Sequence, residues 1–212
     1  MDRWLHRGLP RSCRAICRNY YTLNFCSIMQ VYLVRHTEVE VPVGLCYGWH
    51  EVELKADYLK HFKKLKRQLP NNLEIIFTSP STRCTKLARF IGNNIHQIPE
   101  LRELNFGDWE GKLWQDIPES ESKKWADNYI TAPTPHGEST LDMYHRVTAF
   151  IDELRQQNHD NVVIVTHAGV IRCIMSYLLE IPLKNLFKIK IGHNKVYPLH
   201  LDIHDEYDSF EL

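Results

Sequence analysis

Val162-Val163-Ile164-Val165, an unbroken apolar and β-branched run, constrains the fold of this chain more than any other feature. Successive side chains of a strand point to opposite faces, so such a strand needs cover on both sides. Val31 to Val34 and the stretch "EIIFT" at 74–78 carry the same signal. Helical spacing separates these runs. Tyr58, Leu59, Phe62, Leu65 and Leu69 recur at helix period before Pro70, and Cys84, Leu87, Ala88 and Ile91 before Gly92. Tyr144, Val147, Ile151 and Leu154 follow a Ser139 or Thr140 cap, and 169–179 reads as a helix. Strands that alternate with helices predict an α/β fold, a three-layer α/β/α sandwich on a mostly parallel sheet. Residues 95–98 suit an edge strand, and 189–191 and 196–203 suit further strands. The stretch 99–137 reads as irregular with short helices near 113–117 and 120–128, and the tail "DEYDSFEL" as loose.

A length of 212 residues suits one domain. The 26 basic and 26 acidic residues cancel, so net charge draws the chain neither to nucleic acid nor to a membrane surface. No apolar run approaches the roughly 18 residues of a membrane-spanning helix. Six cysteines without a CxxC pair fit reduced thiols and a cytoplasmic location better than a disulfide framework. Residues 1–28 carry five arginines against Asp2 alone and have no secretory h-region. Such a start suits a transit peptide; the simpler reading is an extension outside the fold, with the domain running over 29–212.

Three expected strands end on polar residues. The first runs into Arg35-His36, the second into Ser79-Pro80 and then Arg83, the third into Thr166-His167. The carboxyl ends of parallel strands gather at one crevice, the usual ligand site of α/β sheets. Two guanidinium groups there suit a phosphoryl group, because each offers paired, charge-assisted donors. A helix starting near Ala168-Gly169 adds free backbone N–H groups. An imidazole beside two arginines is driven toward its neutral, nucleophilic form, which makes His36 a candidate for covalent catalysis. His167 is placed to hold oxygens in the transition state. Glu103, in "LRELNFGDWEG", is a candidate proton donor, with Asp108 and Glu110 close by. The expected ligand is a small phosphate ester, and the chemistry calls for no metal or cofactor.

These stretches resemble the histidine phosphatase superfamily, which includes the cofactor-dependent phosphoglycerate mutases; among its branches the nearest likeness is to the α-ribazole phosphatases. "LVRHTE" stands at its Arg-His motif, "TSPSTRCTKLA" at its second arginine, "ELNFGDWEG" around its acid, "HGES" at a recurring loop and "VTHAGVIR" at its late histidine. The resemblance implies a phosphoglycerate mutase-like fold. It implies catalysis by His36, Glu103, His167, Arg35 and Arg83, with Arg35, Arg83 and His167 binding phosphate. It also implies α-ribazole 5'-phosphate as substrate, in cobalamin nucleotide-loop assembly. The sequence departs from the pattern where Thr37, Glu38, Val39 and Pro42 replace residues that include a threonine and an asparagine. Either the loop "VGLCYGW", with Gly48, supplies substitute substrate contacts, or substrate binding differs from the family pattern. A broad-specificity histidine phosphatase, a mutase or a non-catalytic phosphate-binding module would use the same pocket; the short stretch after His200 leaves little chain to shelter a phosphoenzyme, which disfavours a mutase, and the full set of His36, Arg35, Arg83, Glu103 and His167 disfavours an inert module.

Other features have simpler explanations. Trp109 and Trp114 suit packing more than stacking on a substrate ring. His200 and His204 share one side of the strand expected over 196–203, but no carboxylate or cysteine at ligand spacing joins them. The run "KADYLKHFKKLKR" is the solvated face of an amphipathic helix.

Overall fold

The computed structural model describes residues 28–210. The extension expected over 1–28 therefore lies, but for Ile28, outside the described residues. Strands β1 (Met29–Arg35), β2 (Ile75–Thr78), β3 (Ile95–Gln97), β4 (Asn161–Thr166), β5 (Val196–Leu201) and β6 (Ser209–Phe210) form one sheet in the order β3-β2-β4-β1-β5-β6. The first four run parallel, and β5 and β6 add antiparallel pairs beyond β1. The architecture is α/β, with a mixed six-stranded sheet between helical layers.

Strand β4 shows why the apolar runs are unbroken. Val162 and Ile164 enter a core with α4 (Thr140–Arg155) and α5 (Ala168–Leu178). Val163 and Val165 enter another with α1 (Tyr58–Lys66) and α2 (Thr82–Ile91). Each of the four is fully buried, and burying such a side chain stabilises the fold by roughly 1.5–3 kcal/mol. Ser139 caps α4 in a reciprocal box with Asp142, whose carboxyl the Ser139 hydroxyl holds below its ordinary value. The short helix α3 (Glu119–Asn128) and the 3-10 turn Trp114–Asp116 lie where the irregular stretch was expected to carry short helices.

Four expectations change. Leu59 is about half exposed, so the apolar face of α1 is Phe62 and Leu65, with Leu69 buried beyond its end. Residues 189–191 form no strand: the Ile189 and Ile191 carbonyls accept from Arg172 Nε and Arg35 Nη1, both at 2.9 Å, in place of a ladder. The described part of the tail, 205–210, is tied down through Asp208, which pairs with buried Arg155 while β6 adds to the sheet. Strand β5 stops at Leu201, so His204 does not share a strand face with His200.

Candidate active site

Register decides which residues meet. Arg35 lies opposite Thr166, and Thr78 opposite Val165. The ladder continues one residue further, with His36 N–H donating to Thr166 O and Ser79 N–H to Val165 O, both at 2.9 Å. The three strand exits are thus adjacent. A cleft of about 430 Å³ opens there, within the roughly 300–1,000 Å³ of small-molecule sites. Arg35, His36, Arg83, Glu103 and His167 all line it, and Gly48 does not.

His36 is buried, and its Nδ1 lies 2.7 Å from the Thr37 carbonyl oxygen. A carbonyl only accepts, so Nδ1 carries the proton and Nε2 keeps its lone pair. Burial first, then the Arg83 and Arg35 charges, holds the His36 imidazolium well below its ordinary pKa. His167 stands with its ring 5.2 Å from that of His36, and its Nε2 shares a 2.8 Å hydrogen bond with Ser79 Oγ. Burial, Arg83 and His36 likewise hold His167 neutral. The site therefore joins a neutral imidazole to fixed guanidinium charge, an arrangement fit for nucleophilic attack on phosphorus.

Arg83 is fully buried on α2 and gives Nη1 to His50 O at 3.1 Å and Nη2 to Gly48 O at 2.5 Å. A Cβ on Gly48 would lie 1.7 Å from Leu104 O, so only glycine lets the two loops meet. The amides of Gly48, Trp49 and His50 all donate to the Glu110 carboxylate. These loop amides are thus already engaged, and the expected substitution for the missing threonine and asparagine does not come from them. Among the described residues the buried Thr37 hydroxyl has no hydrogen-bond partner.

The same geometry separates the three neighbouring acids. Asp108 is exposed and pairs with His136. Glu110 has both oxygens occupied by backbone donors and does not line the cleft. Glu103 lines it, accepting from the Gly169 amide at 3.1 Å at the start of α5. The "HGES" loop supports it from behind. Glu138 pairs with Arg146, whose guanidinium also donates to the Arg102 and Glu103 carbonyls at 2.8 and 3.1 Å.

Three residues near the site were not anticipated. Arg172 lines the cleft from α5, one turn beyond Ala168; its place at the end of "VTHAGVIR" was the available signal. Tyr47, not named but within the loop "VGLCYGW" expected to make substrate contacts, lines it too, with the Arg83 guanidinium 5.6 Å from its ring. His193 bonds the His36 carbonyl at 2.8 Å and stands 5.6 Å from its ring, from a loop without periodicity to mark it. Trp109 is buried, whereas Trp114, Trp125, Phe106 and Phe187 line the cleft with Met143 and Leu186.

The family model of the histidine phosphatase superfamily (branch 1) matches residues 31–207, which contain every residue of this cleft. The chain belongs to the histidine phosphatase superfamily. Its relatives include the adenosylcobalamin/α-ribazole phosphatase of Salmonella typhimurium, 29% identical over 175 residues, 77% of this chain and 86% of the relative. Phosphoserine phosphatase 1 of Hydrogenobacter thermophilus is 28% identical over 185 residues, 82% and 88% of the two chains. The crystal structure of the α-ribazole phosphatase from Shigella flexneri superposes with a TM-score of 0.79 at 25% identity, covering 87% of this chain and 95% of that one. This histidine phosphatase is a hydrolytic enzyme of the phosphoglycerate mutase-like fold. Among its described residues no helix is long and apolar enough to cross a membrane.

Proposed function

We propose that this enzyme hydrolyses α-ribazole 5'-phosphate through a phosphohistidine on His36. Arg35, Arg83 and His167 hold the phosphoryl oxygens. The Nε2 lone pair of His36 attacks phosphorus, the bond to the ester oxygen breaks, and Glu103 gives that oxygen a proton. Glu103 then takes a proton from water, whose oxygen attacks the phosphohistidine to release phosphate and free His36. The Nδ1–H bond to Thr37 O carries this reading, because it leaves Nε2 as the nucleophile.

The leaving group is argued from the rest of the cleft. Phe106, Trp114 and Trp125 touch ring to ring at 5.6–6.1 Å, and Phe187 joins them in the lining. A flat bicyclic base on a ribose suits such a surface. Names of relatives support the same substrate. A second reading, phosphoserine, has its own support in the Hydrogenobacter relative and in Arg172, whose guanidinium suits a carboxylate. The free, buried thiols of Cys46, Cys84 and Cys173 support a cytoplasmic location.

Rapid acid-free quenching with labelled substrate tests the mechanism: wild type traps an acid-labile phosphoenzyme and His36→Ala traps none. Full turnover by His36→Ala would end the proposal. Initial rates across α-ribazole 5'-phosphate, phosphoserine and sugar phosphates test the substrate. The expected preference for α-ribazole 5'-phosphate is at least about tenfold in kcat/KM, or roughly 1.4 kcal/mol of transition-state binding. A preference for phosphoserine that Arg172→Ala removes would move the assignment to the second reading.

A further inference from the structure

Glu110 lies outside the cleft, yet its carboxylate collects four backbone donors from two loops. Gly48 N and His50 N give to Oε2 at 2.8 and 2.9 Å; Trp49 N and Phe106 N give to Oε1 at 2.8 and 2.9 Å. The first loop carries, among the described residues, the acceptors of the Arg83 guanidinium, the Gly48 and His50 carbonyls. The second follows directly on Glu103. A further bond crosses between them, from Trp49 Nε1 to Glu103 O at 2.8 Å, and the Arg102 guanidinium lies 4.8 Å from the Trp49 ring. One carboxylate thus joins the loop that aims a phosphate-holding arginine to the loop that aims the acid.

We infer that Glu110 is a positioning residue that sets the distance between Arg83 and Glu103, and so couples phosphoryl binding to protonation of the leaving oxygen. The chemistry is that of a fixed anion. Four N–H groups require an acceptor on both oxygens, and the amide of glutamine supplies one oxygen and one NH2 group. Glu110→Gln therefore turns a donor toward one pair of amides and releases either Gly48 and His50 or Trp49 and Phe106. Both releases change the separation of the two arms, and displacements on the ångström scale cost on the order of 100-fold in rate.

This inference rests on Glu103 as the acid, and the test separates the two. An alkyl phosphate needs its leaving oxygen protonated, whereas the nitrophenolate of p-nitrophenyl phosphate leaves without a proton. In Glu110→Gln the alkyl-to-aryl ratio of kcat/KM is expected to fall on the order of 10-fold or more. The inhibition constant of inorganic phosphate, which reports the Arg83 arm, is expected to rise in the same variant. A global loss of structure lowers the active fraction and moves neither quantity. If either stays at its wild-type value, the coupling is overturned. Should Glu110→Gln not fold, Trp49→Phe removes the N–H bond to the Glu103 carbonyl at a partly exposed position while keeping a ring for Arg102; its alkyl-to-aryl ratio is expected to fall about fivefold, the worth of one hydrogen bond, and an unchanged ratio overturns the inference. Glu103→Gln decides the underlying reading: if it keeps full alkyl turnover, the proposed acid is wrong whatever the Glu110 variants do. If it loses that turnover while the Glu110 and Trp49 variants keep theirs, the coupling alone fails.

Discussion

A histidine buried among arginines stores a dependence on pH. Burial and the Arg83 charge hold both His36 and His167 well below the ordinary value of 6.5. In the unfolded chain each imidazole takes up a proton near that pH; in the folded enzyme each does so only at lower pH. Between the two values the unfolded state binds more protons, so stability falls as pH drops below about 6.5 and is flat above it. Each histidine contributes at most about 1.4 kcal/mol per pH unit in that window. Urea unfolding from neutral to mildly acid pH should show this slope in wild type, and a shallower one in His167→Gln, whose amide still reaches Ser79. Equal slopes would place the acid sensitivity elsewhere. The same depression keeps the His36 lone pair available, so kcat/KM should show no acid limb near 6.5 from the proposed nucleophile. At this scale the sequence was legible for charge and poor for hydrogen bonding. The run Arg35-His36 announced a neutral imidazole; nothing in it announced that the Thr37 carbonyl would accept from Nδ1–H and so leave the lone pair on Nε2.

Helix α5 shows an element placing chemistry through its first turn. Its Gly169 amide donates to Glu103 Oε2, and a Cβ at Gly169 would come within 2.1 Å of Oε1. The obstructing atom is the end of a flexible side chain, so Gly169→Ala is expected to keep the fold and move the Glu103 carboxyl, the proposed acid. Thermal unfolding should shift by no more than about 1 kcal/mol, since alanine also favours the helix. Turnover of alkyl phosphates should fall roughly 10-fold to 100-fold, a misplacement effect; wild-type turnover would show that Glu103 tolerates displacement. Elements like α5 were legible because their apolar spacing repeats over several turns, and β4 because four consecutive apolar residues have one economical explanation. Residues 189–191 misled for a definite reason. "KIKI" has strand alternation, but its Ile189 and Ile191 carbonyls serve Arg172 and Arg35, partners more than 15 positions away that local pattern cannot see. Glu110 escaped likewise: a carboxylate that binds four backbone amides looks in the sequence like any other acid beside a tryptophan.

For the molecule as a whole, the parallel neighbours β2, β4 and β1 turn three distant sequence motifs into one site, and motif order along the chain was enough to predict their meeting. The far side of the sheet depends on a pairing that order does not predict. Arg155, at the end of α4, forms a two-pronged pair with Asp208, both bonds at 2.8 Å, and donates to the Asp202 carbonyl. Both side chains are almost fully buried, and the Asp208 hydrogen bond raises the Arg155 guanidinium above its ordinary value. Asp208 also accepts from the Asp202 amide at 2.9 Å, just beyond the end of β5. The tail thus closes the sheet through a buried charge that, among the described residues, Arg155 and the Asp202 amide compensate. Removing one member of a buried pair leaves the other uncompensated, which costs about 3–5 kcal/mol. Asp208→Ala should therefore lower the unfolding free energy from urea titration by that amount while Arg155→Met with Asp208→Leu, which removes both charges, recovers much of it. None of these residues lines the catalytic cleft, so kcat of the folded fraction should stay at its wild-type value in both variants. A loss of kcat in Asp208→Ala at full folding would mean that β6 and the tail hold the site from across the sheet, through β5 and its antiparallel pairing with β1.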